Sequence, residues 1–247
     1  MKVAVFQYDI RWEDQEYNKK RITAMLDKED MSKVDWLIFP ETTLTGFSMN
    51  LKETLLSDED IKFFSDLCKK RSCYITFGGV VDKQNRSITM DKNGKVVCDY
   101  MKIHQFAEER NYYVAGKTVK YFSIDGIKIM PTVCYDLRFS NIYWDNALSS
   151  DVFLVIANWP EARREHWMTL LRARAIENQT YVIGVNRTGK SPEISYSGDS
   201  MVFDPFGKEL LNCGSREVVS FVELSKDLPT KVRQGFPVLN DRITKKS

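Results

Sequence analysis

At 247 residues, with 43% hydrophobic and 28% charged side chains, the chain has ordinary globular composition and enough apolar matter for a sizeable core. Its net charge of +2 comes from 36 basic and 34 acidic residues, so it lacks the electrostatic footprint of a protein that binds nucleic acid or an anionic membrane surface. No window reaches the length of a transmembrane helix, and Met1 to Phe6 meets Asp9 and Arg11 without a signal-peptide core, which points to the cytoplasm. Five cysteines are then expected as thiols. Two histidines, with Cys68 and Cys73 lacking a second pair at zinc-ligand spacing, argue against a metal.

In chain order, Val3 to Tyr8 reads as a strand with Val3 and Val5 on one face, and residues 13–30 as a helix. Tyr17, Arg21, Ile22, Met25 and Leu26 fall near one stripe of that helix. Val34 to Phe39 is an apolar strand stopped by Pro40 and followed at once by Glu41. Ser57 and Asp60 resemble a capping box opening a helix to about Lys70, with Ile61, Phe64, Leu67 and Cys68 inward. Tyr74 to Val81 is the next strand, and its Gly78-Gly79 permits a bulge or a close backbone approach. Arg86 to Met90 and Val96 to Met101 flank a hairpin turn at residues 91–94.

A long polar stretch, residues 102–117, precedes strands at 121–124 and 127–133, turned by Asp125-Gly126. A helix over 142–149 leads to the strand 152–157. The clearest helix spans 163–178, where Trp167, Leu170, Leu171, Arg174 and Ala175 share a face. Tyr181 to Val185 is a strand, and Ser195 to Val222 reads as paired strands turning at Pro205-Phe206-Gly207. With no repeat or linker, residues 1–247 form one layered α/β domain, and residues from about 223 to 247 a charged C-terminal tail or partner-contacting arm.

Three polar residues follow apolar strands in comparable ways: Glu41, Lys102 and Cys134. If those strands share an edge, a carboxylate, an ammonium and a thiol converge. The carboxylate can take the thiol's proton, and the lysine can stabilise the oxyanion formed when sulfur adds to a carbonyl. Taken alone, Cys134 reads first as a core filler, since free cysteine is among the most buried residue types. A cysteine–histidine pair using His104 or His166 is a rival arrangement. Cys68, Cys73, Cys98 and Cys213 read as structural.

The motifs around these residues resemble the nitrilase superfamily of carbon–nitrogen hydrolases, and within it the omega-amidases. The resemblance runs from Met1 to about Gly207 and rests on five stretches. They are residues 39–49 around Glu41, 100–104 around Lys102, 133–139 around Cys134, 157–163 with Asn158-Trp159-Pro160 and Arg163, and 173–187. Gln105 and Ser140 depart from the family pattern beside the motifs.

The resemblance implies a four-layer α-β-β-α sandwich, homodimeric, with Cys134 as nucleophile, Glu41 as base and Lys102 as oxyanion stabiliser. It also implies a supporting glutamate, Glu109, with Glu108 in competition, and the backbone N–H of Tyr135 in the oxyanion hole. The substrates implied are small omega-amides such as 2-oxoglutaramate or 2-oxosuccinamate, hydrolysed without a cofactor. Arg163 is the first candidate for the distant carboxylate, Arg138 the second, and Trp159 a candidate apolar wall. Hydrolysis of N-carbamoyl amino acids, aliphatic amides or nitriles is the alternative within the family, and a catalytically idle binding subunit the alternative outside it.

Overall fold

A computed structural model describes residues 1–242. The first half of the chain supplies β1 (Lys2–Gln7), β2 (Trp36–Ile38), β3 (Tyr74–Val81), β4 (Gln84–Met90) and β5 (Val96–Met101). The second half supplies β6 (Phe122–Ile124), β7 (Ile127–Val133), β8 (Val152–Ala157) and β9 (Tyr181–Asn186). A short ribbon follows, β10 (Thr188–Lys190) with β11 (Ser195–Ser197), then β12 (Met201–Phe203), β13 (Glu209–Asn212) and β14 (Val218–Glu223). Two six-stranded sheets result, ordered β14-β1-β2-β3-β4-β5 and β13-β12-β9-β8-β7-β6. The turn at residues 205–207 pairs β12 with β13 antiparallel, as the sequence suggests, while the last strand, β14, returns to the first sheet antiparallel to β1.

The layers follow from alternation along the strands. In β1, Val3 and Val5 face the second sheet, while Ala4 and Phe6 face helices. Those helices are α1 (Gln15–Leu26) and, beyond the single turn α2 (Leu51–Thr54), α3 (Asp58–Arg71), which bury Ile22, Leu26, Phe64 and Leu67 against the sheet. Ser57 and Asp60 cap α3 reciprocally, as their spacing predicts. In the stripe expected of α1, Asn18 replaces Tyr17, whose ring is exposed.

Between the sheets, Trp36, Ile38 and Tyr100 pack on Ile129, Val133, Leu154 and Ile183. On the far side, α5 (Ser140–Asn146) and α6 (Arg164–Asn178), reached after the short α4 (Glu109–Tyr112), cover Met130, Phe153 and Val155 with Tyr143, Trp167 and Leu171. Three apolar interfaces make four layers, the α-β-β-α sandwich.

The C-terminal region departs from the expected tail. Residues 228–235 form α7 (Leu228–Gly235), and Val232 and, beyond it, Leu239 are buried. Arg233 donates to the carbonyls of Ala147 and Ser150, and Gln179 donates to the carbonyl of Phe236. An apolar residue every few positions was enough to dock a segment that its charges made look solvated. Residues 243–247 lie outside the described residues.

In the second sheet β7, β8 and β9 run parallel, and in the first β1, β2 and β3 do. Parallel strands leave their carboxyl ends at one edge, where α/β proteins place their chemistry.

Candidate active site

Glu41 follows β2, Lys102 follows β5, and Cys134 follows β7. Each leaves its strand into a tight turn. Thr42 and Cys134 adopt left-handed backbone, with φ of 42° and 48°, and so does Ala107 (φ 46°) shortly before Glu109. Such conformations cost a non-glycine residue about 1–3 kcal/mol and gather at functional sites. The turn at Glu41 needs room: a Cβ on Gly78 would stand 2.5 Å from the Thr42 nitrogen and 2.6 Å from the Glu41 Cα. Glycine at 78 permits the close backbone approach anticipated from the sequence. At Cys134, the buried Asp136 carboxylate accepts from Val133 N (3.1 Å), and Arg174 donates to the carbonyl of Leu137 (2.9 Å).

Glu41, Lys102 and Glu109 form a buried charge cluster. Lys102 Nζ donates to Glu41 Oε1 at 3.1 Å and to Glu109 Oε2 at 2.7 Å. Glu109 also accepts from the N–H of Phe106 (2.6 Å), and the competing Glu108 is exposed. Burial disfavours the Lys102 ammonium, but the charges of Glu41, Glu109 and Cys134 outweigh it and raise its pKa above the ordinary lysine value. The Cys134 thiol moves well up as well, first through burial and then through the charge of Glu41; Lys102 pulls the other way. A protonated thiol near a carboxylate can lose its proton to that carboxylate as it attacks.

Cys134 opens into a cleft holding about 420 Å³ of empty space. Lys102 and Asn158 lie on its wall, and so do Tyr135 and Trp159. Both arginines reach it. The Arg163 guanidinium sits over the Phe106 ring at 5.2 Å, and that of Arg138 over the Trp159 ring at 4.8 Å. The structure thus brings together the residues that the resemblance implied: Glu41, Lys102, Cys134 and Glu109 in the cluster, Tyr135, Trp159, Arg163 and Arg138 in the cleft.

Residues 2–234 match the family described as carbon-nitrogen hydrolase. The chain belongs to that family. It is 34% identical to the 2-oxoglutaramate amidase of Bacillus subtilis, over 97% of this chain and 96% of that one. It is 33% identical to the omega-amidase YafV of Yersinia enterocolitica, over 98% and 96%. Among solved structures it resembles XC1258 of Xanthomonas campestris, a CN-hydrolase superfamily protein bearing an arsenic adduct in its active site. That likeness has a TM-score of 0.94 at 29% identity, over 100% of this chain and 98% of that one.

Two residues of this carbon–nitrogen hydrolase that sequence reasoning did not assign to the cluster hold its carboxylates. Asn158 donates its backbone N–H (2.7 Å) to Glu41 Oε2, and its side-chain amide to the Glu41 carbonyl (2.7 Å). Asn85 donates to Glu41 Oε1 (2.8 Å) and Glu109 Oε1 (3.0 Å). Asn158 carried a signal, since it follows an apolar strand as Glu41 does. Asn85 lay just outside a strand expected to begin at Arg86; β4 begins at Gln84.

Neither histidine serves Cys134. His104 turns to Asp136 (3.0 Å) and stacks on Phe139, while Arg138 meets His166 Nδ1 at 3.2 Å. The remaining thiols are buried, and burial pushes those of Cys68, Cys73 and Cys98 up to about 12.

Proposed function

We propose that this hydrolase releases ammonia from small omega-amides that carry a distant carboxylate, such as 2-oxoglutaramate and 2-oxosuccinamate. One observation carries the reading: buried Glu41 and Lys102 and half-buried Cys134 meet beside a cleft lined by two arginine side chains. The relatives named 2-oxoglutaramate amidase and omega-amidase support the same substrate class.

Cys134 Sγ adds to the amide carbonyl carbon while its proton passes to Glu41. Lys102 Nζ and the Tyr135 N–H hold the resulting oxyanion, and Glu109 keeps Lys102 in place. Glu41 returns the proton to nitrogen, ammonia leaves, and a thioester remains. Water gives a proton to Glu41, adds to the thioester, and the acid departs as Cys134 regains its proton. Arg163 binds the distant carboxylate, and Trp159 lines the cleft beside it. No cofactor enters these steps.

A single catalytic domain, a homodimer and a cytoplasmic site complete the proposal. The core shared by both sheets supports the first. Exposed Ile176 on α6 and exposed Phe206, next to the Gly207 turn that packs on Ile176, support the second. Five free cysteines fit the third.

An ammonia-release screen over both oxo-amides, an aliphatic amide, an N-carbamoyl amino acid and a nitrile tests the substrate class. The oxo-amides are expected to give the highest kcat/KM. A higher value for the nitrile or the carbamoyl acid overturns the assignment.

A further inference from the structure

The cluster is short of positive charge. Two carboxylates face one ammonium, and all three side chains are buried. Carboxylates so placed need hydrogen-bond donors beyond the ammonium to hold all their oxygens in one geometry. Asn85 supplies further donors. Its side-chain nitrogen lies 2.8 Å from Glu41 Oε1 and 3.0 Å from Glu109 Oε1, and its backbone carbonyl accepts the N–H of Lys102 at 2.9 Å. Facing two groups that can only accept, the amide presents its NH₂ and not its oxygen.

The backbone fixes this placement. Asp82 and Lys83, with φ of 50° and 58°, make the tight turn that pairs Asn85 with Val80. A slip of one residue would turn the amide to the other face of the sheet.

We propose that Asn85 is a positioning residue for the acid–base steps, holding Glu41 and Glu109 in register with Lys102 by donating one N–H to each. The inference rests on the reading of Glu41 as the base. The other titratable groups around the pair are Lys102 after β5, Cys134 after β7, Tyr113 beyond α4 and Tyr196 on β11. The tyrosines stay neutral, since burial raises both, Tyr113 to about 12.

Two variants test it. Asn85→Ala removes both donors, and Asn85→Asp keeps the volume but adds a third carboxylate. With 2-oxoglutaramate, kcat is expected to fall roughly 10- to 100-fold in each, the cost of a misplaced catalytic group, while KM barely changes. The acid limb of kcat/KM moves to higher pH in both, and further in Asn85→Asp, because losing a donor or gaining a like charge favours the protonated carboxyl.

A purely space-filling residue gives the reverse order: Asn85→Asp close to wild type, Asn85→Ala impaired, and neither limb displaced. That result overturns the proposal. Alkylation of Cys134 by chloroacetamide, followed by mass spectrometry across the same pH range, reads the acid limb without turnover. It decides the matter even if no oxo-amide is a substrate, and Asn85→Asp decides it alone if Asn85→Ala does not fold.

Discussion

The cleft has two ends built on different principles. At the inner end, Glu41, Lys102 and Glu109 are buried, and their four carboxylate oxygens all accept hydrogen bonds. At the outer end, Arg138 and Arg163 are only partly buried and rest on aromatic faces, with no carboxylate partner among the described residues. Hydrogen bonds to charged groups contribute about 1.5–3 kcal/mol and demand one geometry, whereas a cation over a ring contributes about 0.5–2 kcal/mol and tolerates several. The inner end therefore has a fixed shape suited to one reaction. The outer end keeps free charge for whatever the substrate brings.

The largest effect that separates the ends comes from the sulfur. Cys134→Ala is expected to abolish ammonia release, a loss of at least about 10³-fold, with the melting temperature nearly unchanged. Cys98→Ala, a buried thiol on β5, should cost some stability and leave the rate intact. Comparable activity losses in the two variants would remove Cys134 as the nucleophile.

Lys102→Met comes next. It leaves two facing carboxylates buried without their cation, so about 3–5 kcal/mol of stability should go together with turnover. Denaturant unfolding measures the first and ammonia release the second. A fully stable variant would mean that the two glutamates do not depend on Lys102.

This contrast also explains what could be read in the chain. Fold class and inner end were legible because each catalytic candidate ends an apolar strand and sits in its own motif: Glu41 after Pro40, Lys102 after Met101, Cys134 after Val133. Asn85 was not, since an asparagine beside a turn has the composition of a solvated hairpin. Its role exists only once β4 pairs with both β3 and β5. Residues 228–242 misled for a related reason. Their charged residues dominate the composition, while Val232 and Leu239, which dock them, are sparse. At the outer end the sequence put both arginines in contention, and only the folded cleft brings Arg138 and Arg163 to the same wall.

A pH experiment probes the inner end more finely. Because the Cys134 thiol is raised, its thiolate is scarce near neutrality, and alkylation should keep accelerating above the ordinary thiol pKa of about 8.5. Lys102 lowers that thiol and its own pKa is raised, so its charge persists through the whole range. In Lys102→Met the rise should therefore move to still higher pH. A rise displaced downward would show that the ammonium does not face the sulfur.

The smallest expected effect lies at the outer end and separates its two cations. Arg163→Ala removes a guanidinium that, among the described residues, is held only over Phe106, and KM for 2-oxoglutaramate should rise roughly 10-fold or more, the value of a charge-assisted hydrogen bond. Since the clamp acts on ground and transition states alike, kcat should change little. Arg138→Ala should raise KM only a few-fold, because that guanidinium is already engaged by Trp159 and by His166 Nδ1 at 3.2 Å. A neutral amide such as propionamide should not distinguish either variant from wild type. If Arg138→Ala proves the costlier change for the anionic amide, the carboxylate sits on Arg138, and the free-cation argument that favours Arg163 fails.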